Sequence, residues 1–157
     1  MIVISDTSPL NYLILTKYID ALPQLYKRVL IPRTVYEELL HPLTPEAVRV
    51  WIGHPPVWLE VCEVVRGLNL PGLHQGELDA ITLFKSADAD LLLMDERLGR
   101  EAAQTLGITI TGTLGVLISA AQAELLDLEE ALASLKATTF RISDTLIHKV
   151  LSDYRLR

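Results

Sequence analysis

Acidic side chains in this chain fall where chemistry could use them. Asp6 stands one residue beyond the apolar run Ile2 to Ser5, and Asp95 one residue beyond Leu91 to Met94. A third run, Ile108 to Ile110, ends in Thr111-Gly112-Thr113. If these runs are parallel strands, their carboxyl ends share the sheet edge at which ligands bind. Further acids come in pairs on predicted helices. Glu37 and Glu38 are adjacent, about 100° apart on a helix, so only one can face that edge. Glu37 is the natural partner of Thr34 in a capping box, which leaves Glu38. Glu77 and Asp79 are about 200° apart. Glu77 shares its face with Ala80, Ile81 and Phe84, and Asp79 shares one with Thr82, Leu83 and Ser86. A carboxylate on an apolar face needs a partner or a cation. The competing reading makes the strand-end acids helix caps and Asp79 a first-turn acid that offsets the helix dipole.

Several carboxylates within a few ångströms raise one another's pKa or recruit cations. Oxygen-only ligands without His or Cys favour Mg2+ or Mn2+ over Zn2+. Such an ion can activate water and stabilise charge on a phosphodiester. Thr7, Ser8 and Thr113 are hydroxyls able to orient a metal-bound water, with helix capping as the plainer role for Ser8 and Thr113. Arg97 and Arg100 follow Asp95 closely and suit phosphate contacts, unless Glu96 or Glu101 claims them. His41, His54, His74 and His148 show no metal-ligand spacing and receive no role.

The elements that must position these residues can be read from pattern. Strands are expected at Ile2 to Ser5, Val29 to Ile31, Leu91 to Met94 and Ile108 to Ile110. Helices are expected over Pro9 to Lys17, capped by Ser8 with Pro9 in first position, and over Thr34 to Leu40, capped by Thr34. Others are expected at Pro45 to Ile52, Gln75 to Ala87, Arg97 to Leu106, Thr113 to Glu124, Leu128 to Lys136 and Asp144 to Tyr154. Gly53 to Gly76, with Pro55, Pro56 and Pro71, is the irregular stretch, holding one strand-like run from Trp58 to Val65. Strands separated by single helices imply parallel βαβ units and an α/β layered sheet.

The 157 residues suit one domain, with 14 Lys+Arg against 20 Asp+Glu and a net charge of −6. Such a balance lacks the footprint of a duplex-DNA binder, although bound cations can reverse it locally. A lone cysteine, Cys62, excludes an internal disulfide framework and fits a cytoplasmic location. The opening MIVISDTSPL has no basic leader region, and no apolar run approaches a membrane span, so no membrane partner is expected.

At these same residues the sequence resembles the PIN-domain family. The segments DTSPLNYL, IPRTVYEEL, HQGELDAI and LLLMDERLGREAAQTLGI resemble its four acidic motifs in order and spacing, and GITITGTLGVL resembles a stand-alone prokaryotic branch related to VapC-type toxins. The likeness runs from Ile2 to about Glu124. It implies a three-layer α/β/α sandwich with a central parallel sheet over residues 1–157, and a Mg2+- or Mn2+-dependent endoribonuclease. Carried over by position, Asp6, Glu38, Asp79 and Asp95 would be the catalytic and metal-binding acids. Glu77 is added because GExxAI marks this branch. RNA is the implied substrate, with a small antitoxin and a second copy of the chain as implied partners.

Three rival readings compete with this one. A catalytically silent PIN-like module would bind RNA or protein without taking up Mn2+. An aspartyl-nucleophile phosphohydrolase would want a second acid two residues after Asp6, where Ser8 stands. A receiver domain is disfavoured because no Lys follows the Ile108 to Ile110 strand.

Overall fold

Short apolar segments pair into one sheet in the computed structural model, which describes residues 1–156. The strands are β1 (Val3–Ser5), β2 (Val29–Pro32), β3 (Leu59–Cys62), β4 (Leu91–Leu93) and β5 (Ile110–Thr111). Their order is β3-β2-β1-β4-β5 and every pairing is parallel. Val3 lies opposite Val29 and Leu91, and Ile4 opposite Leu30 and Leu92.

Successive side chains on a strand point to opposite faces, and here both faces are apolar. Val3, Val29, Ile31, Leu91 and Leu93 join one core. It is closed by α1 (Thr7–Leu15), α2 (Ala21–Tyr26), α3 (Arg33–Leu39) and α4 (Glu46–Ile52), and by the later helices α7 (Thr113–Gln122), α8 (Leu128–Lys136) and α9 (Asp144–Arg155). Ile4, Leu30 and Leu92 face the other way, onto α5 (Gln75–Ser86) and α6 (Arg97–Thr105). Helices therefore cover both sides of a parallel sheet, in three layers, as both faces of such a sheet require. Each fully buried Leu or Ile contributes about 1.5–3 kcal/mol. That burial holds the strand ends, and the residues after them, in register.

The chain lays β2 and β3 on one side of β1 and β4 and β5 on the other. This is a switch point, and its crevice opens between the carboxyl ends of β1 and β4. Asp6 leaves β1 there with its N–H donating to the Leu93 carbonyl at 2.9 Å.

Several expected boundaries move, with physical reasons. The first helix starts at Thr7, two residues early, with Asp6 at the N-cap position and Pro9 tolerated inside the first turn, where a missing N–H costs nothing. The Thr34–Glu37 capping box does not form: α3 begins at Arg33 after Pro32, and no side chain caps it. The helix α2 has six residues, too few to show a period, and the sequence pattern misses it. The strand-like run in the irregular stretch narrows to the edge strand β3. No described helix is long and apolar enough to cross a membrane.

Candidate active site

Four carboxylates line one cleft of about 260 Å3, together with Thr7, Ser8, Asn11, Tyr12 and His74. They are Asp6 after β1, Glu38 near the end of α3, Glu77 in the first turn of α5, and Glu96 just before α6. Asp95, after β4, lies on the wall of the adjoining groove. Hydroxyls from the start of α1 reach both outlying acids. Thr7 Oγ1 donates to Glu38 Oε2 at 2.6 Å, and Ser8 Oγ donates to Asp95 Oδ2 at 2.7 Å. The start of α7, just after β5, completes the hold on Asp95: Thr113 gives its N–H to Oδ1 and its hydroxyl to Oδ2, each at 2.7 Å.

Asp6 sits at a helix N-cap yet its side chain caps nothing. The plain capping role fails for it, because an unused cap is an unpaid role for a 4% exposed acid. Burial pushes its carboxyl up to about 7, the neighbouring Thr7 amide pulls it down, and the Glu77, Glu38 and Asp95 carboxylates push it further up. Its neighbours are therefore of its own sign.

Glu77 divides its two oxygens. Oε1 accepts the His74 N–H at 3.0 Å, tying off the first turn of α5. Oε2 is buried and meets no donor among the described residues. It lies over Gly99 of α6, where a Cβ would come within 2.7 Å of Oε2 and 2.5 Å of Met94 Sδ. At the other side of the cleft, a Cβ on Gly76 would meet Glu38 Oε2 at 3.0 Å and Asp6 Oδ1 at 3.7 Å. These two glycines let three acidic elements approach without a methyl between them.

Asp79 belongs elsewhere. It faces a separate pocket with Thr34, Glu37 and Arg66. Thr34 Oγ1 donates to it at 2.7 Å, Gln75 Nε2 at 2.7 Å, and the Arg66 guanidinium through two nitrogens at 3.3 and 3.1 Å. Burial would raise its carboxyl, but the Arg66, Thr34 and Gln75 hydrogen bonds and the Arg66 charge hold it below the usual range. Glu77 therefore lines the cleft, whereas Asp79 lies in a separate pocket and is spent on its neighbours.

Glu38 reaches the cleft for a reason other than the one expected. Glu37 is not claimed by a cap but lines the Asp79 pocket. Arg97 and Arg100 line the adjoining groove, Arg97 within 3.9 Å of Glu101 and Arg100 donating to the Met94 carbonyl at 3.0 Å. Asn11 and Tyr12 have no place in the sequence reading, which also gives His74 no role and Glu96 only that of an arginine partner. The first two could have been found from α1, since they stand three and four residues after Ser8 and so on its side of the helix.

All donors at the cleft are oxygens apart from His74 and Asn11, which suits a hard cation such as Mg2+ or Mn2+. An orphaned buried carboxylate oxygen, in one cleft with a carboxyl driven up by burial and by like charges, is what such an ion would relieve. Among the described residues, no three His, Cys, Asp or Glu side chains stand close enough together to ligate one ion. Glu38 and Asp95 instead accept hydrogen bonds from the Thr7, Ser8 and Thr113 hydroxyls.

A family description, DUF3368: PIN domain, matches residues 2–155. No curated protein matches the chain. Among solved structures the chain is similar to a PilT N-terminus domain protein from the hyperthermophilic archaeon Sulfolobus solfataricus P2. The two are 15% identical, with 91% of this chain and 100% of that one covered, and a TM-score of 0.49.

Proposed function

The chain belongs to the PIN-domain family, and from that premise we propose a divalent-metal-dependent endoribonuclease acting on RNA phosphodiesters. The supporting observation is the pairing of a buried Asp6, driven up to about 7, with the partnerless Glu77 Oε2 in the same cleft. Asp6, Glu38, Glu77 and Asp95 are the acids that would hold Mg2+ or Mn2+. When bound, the ion would supply an acidified water and charge stabilisation at the phosphodiester.

The chain's own residues prepare for this. The His74 N–H fixes the Glu77 carboxylate so that its second oxygen stays inside the cleft. Thr113 and Ser8 lock Asp95 by three hydrogen bonds, and Thr7 orients Glu38. Near neutral pH the Asp6 carboxyl in the metal-free protein is divided between its protonated and ionised forms, since it titrates at about 7. A bound cation would hold it ionised.

In this reading the protein acts in the cytoplasm as the toxin-like half of a pair, restrained by a small antitoxin, and works as a homodimer. What supports it is the likeness of GITITGTLGVL to the toxin-related branch. A small DNA-binding protein encoded beside it would strengthen the pairing.

The test is cleavage of single-stranded RNA. Activity should require Mg2+ or Mn2+, stop on chelation, and fall at least about 100-fold in Asp6→Asn. Equal cleavage by wild type and Asp6→Asn would refute the proposal. The rival reading, a silent RNA- or protein-binding module, draws on the separation of the carboxylates. It expects calorimetry to find no Mn2+ uptake.

A further inference from the structure

Beside the acid cleft lies a larger groove, about 740 Å3, that shares Ser8, Tyr12 and Glu96 with it. Three arginines converge there from distant parts of the chain. Arg97 and Arg100 come from α6, and Arg141 from the link between α8 and α9. Against Asp95 and Glu96 on the same wall they leave the lining with one net positive charge, in a chain whose net charge is −6. The Met94 carbonyl holds Arg100 over the end of β4, and Glu101 takes part of Arg97. Arg141 is exposed and pairs with no carboxylate among the described residues.

The wall beside Arg141 is aromatic and fixed in advance. Tyr12 and Phe140 meet edge to face with ring centroids 5.0 Å apart. The Tyr12 hydroxyl and the Thr139 hydroxyl share a hydrogen bond of 3.0 Å. The link before α9 is thereby fastened to α1, one helical turn beyond Ser8. Ile110, Leu114 and Ile118 add apolar surface.

The geometry points to this groove as the track for a single-stranded RNA segment flanking the bond to be cut, with Arg141 and Arg100 meeting backbone phosphates and a base lying against Tyr12 and Phe140. The assignment rests on the ribonuclease reading above. Guanidinium groups match phosphate oxygens in a fork. Aromatic faces accept any base, but only one that is not stacked in a duplex. Tyr12 lines both cavities, so a strand crossing it would have one phosphate near the acids and the next beside the arginines.

Binding, read separately from cleavage, tests this. Every protein would carry Asp6→Asn so that bound RNA survives, and a fluorescent eight-nucleotide RNA strand would be followed by anisotropy against salt. Adding Arg141→Glu should weaken binding about tenfold and lower the salt slope by about 0.7, the value for one lost phosphate contact on a single strand. The charge-matched control Lys149→Glu, exposed and outside the groove, should bind as the parent does. Equal binding by the Arg141→Glu and Lys149→Glu proteins would overturn the assignment. So would tighter binding of an RNA duplex than of the strand, or equal binding of a polyglutamate peptide. Cleavage that survives Asp6→Asn would instead strike the ribonuclease reading itself, so the two failures are told apart.

Discussion

Glu77 and Asp79 are two residues apart on α5, both acidic and both buried, at 5% and 2% exposure, yet they live in opposite electrostatic worlds. Asp79 has a cation and two neutral donors around it, and its carboxyl is held low. Glu77 spends one oxygen on a backbone amide and leaves the other without a donor, in a cleft where Asp6 is driven up. Burial alone therefore does not mark a working acid. A buried charge that the fold has already paired is part of the scaffold, whereas one left beside its own kind awaits something from outside.

Breaking each side of this contrast should give opposite results. In RNA cleavage, Glu77→Gln should join Asp6→Asn at a loss of about 100-fold or more, while Asp79→Asn should stay within about threefold per folded molecule. Comparable losses in all three would erase the distinction.

Stability should separate them by sign. The Asp6 carboxyl is raised from 3.8 to about 7, so between those values the folded metal-free protein binds more protons than the unfolded chain. Stability should therefore fall as pH rises from about 4 to about 7, by up to roughly 4 kcal/mol at ~1.4 kcal/mol per unit, and level off above. Urea denaturation at pH 5 and pH 8 would show this slope in the wild type and its loss in Asp6→Asn. Mg2+ should stabilise the wild type most at pH 8, where the ionised form prevails. The Asp79 carboxyl is lowered, so its contribution is present above the unfolded value and is lost on acidification through its folded value.

Smaller effects sharpen the picture. Asp79→Ala should cost about 1–3 kcal/mol at pH 7, because Thr34, Gln75 and Arg66 lose their acceptor. Asp6→Asn at that pH should not destabilise the metal-free protein at all. Gly99→Ala gains at most about 1 kcal/mol of helix propensity. It must also move Met94 Sδ and the Glu77 carboxylate, at a cost of about 1–3 kcal/mol. A net loss of about 1 kcal/mol in melting experiments, with weaker Mn2+ uptake, is expected.

The sheet and the acids at its edge were legible because both follow from short-range pattern. An apolar run followed at once by Asp places that Asp at a strand end, and parallel topology then brings Asp6 and Asp95 to one edge. Helical period pointed to Glu77. What could not be read depends on partners distant in sequence. Arg66 lies in the irregular stretch that carries no period, so nothing local announces its bond to Asp79. Thr34 has the spacing of a cap with Glu37, but tertiary structure gives its hydroxyl a better acceptor 45 residues away. The capping argument for Glu38 therefore fails, and the Thr7 hydroxyl holds its carboxylate instead. Arg141 and Phe140 gain meaning only once the link before α9 folds back onto Tyr12.

One carboxylate joining a helix start to an open cleft makes a gauge. Anything that draws electron density toward Oε2 of Glu77 weakens Oε1 as an acceptor for the His74 amide. Deuterium uptake at that amide should quicken as the cleft fills, so a single backbone position reports on occupancy with no label attached and no product formed.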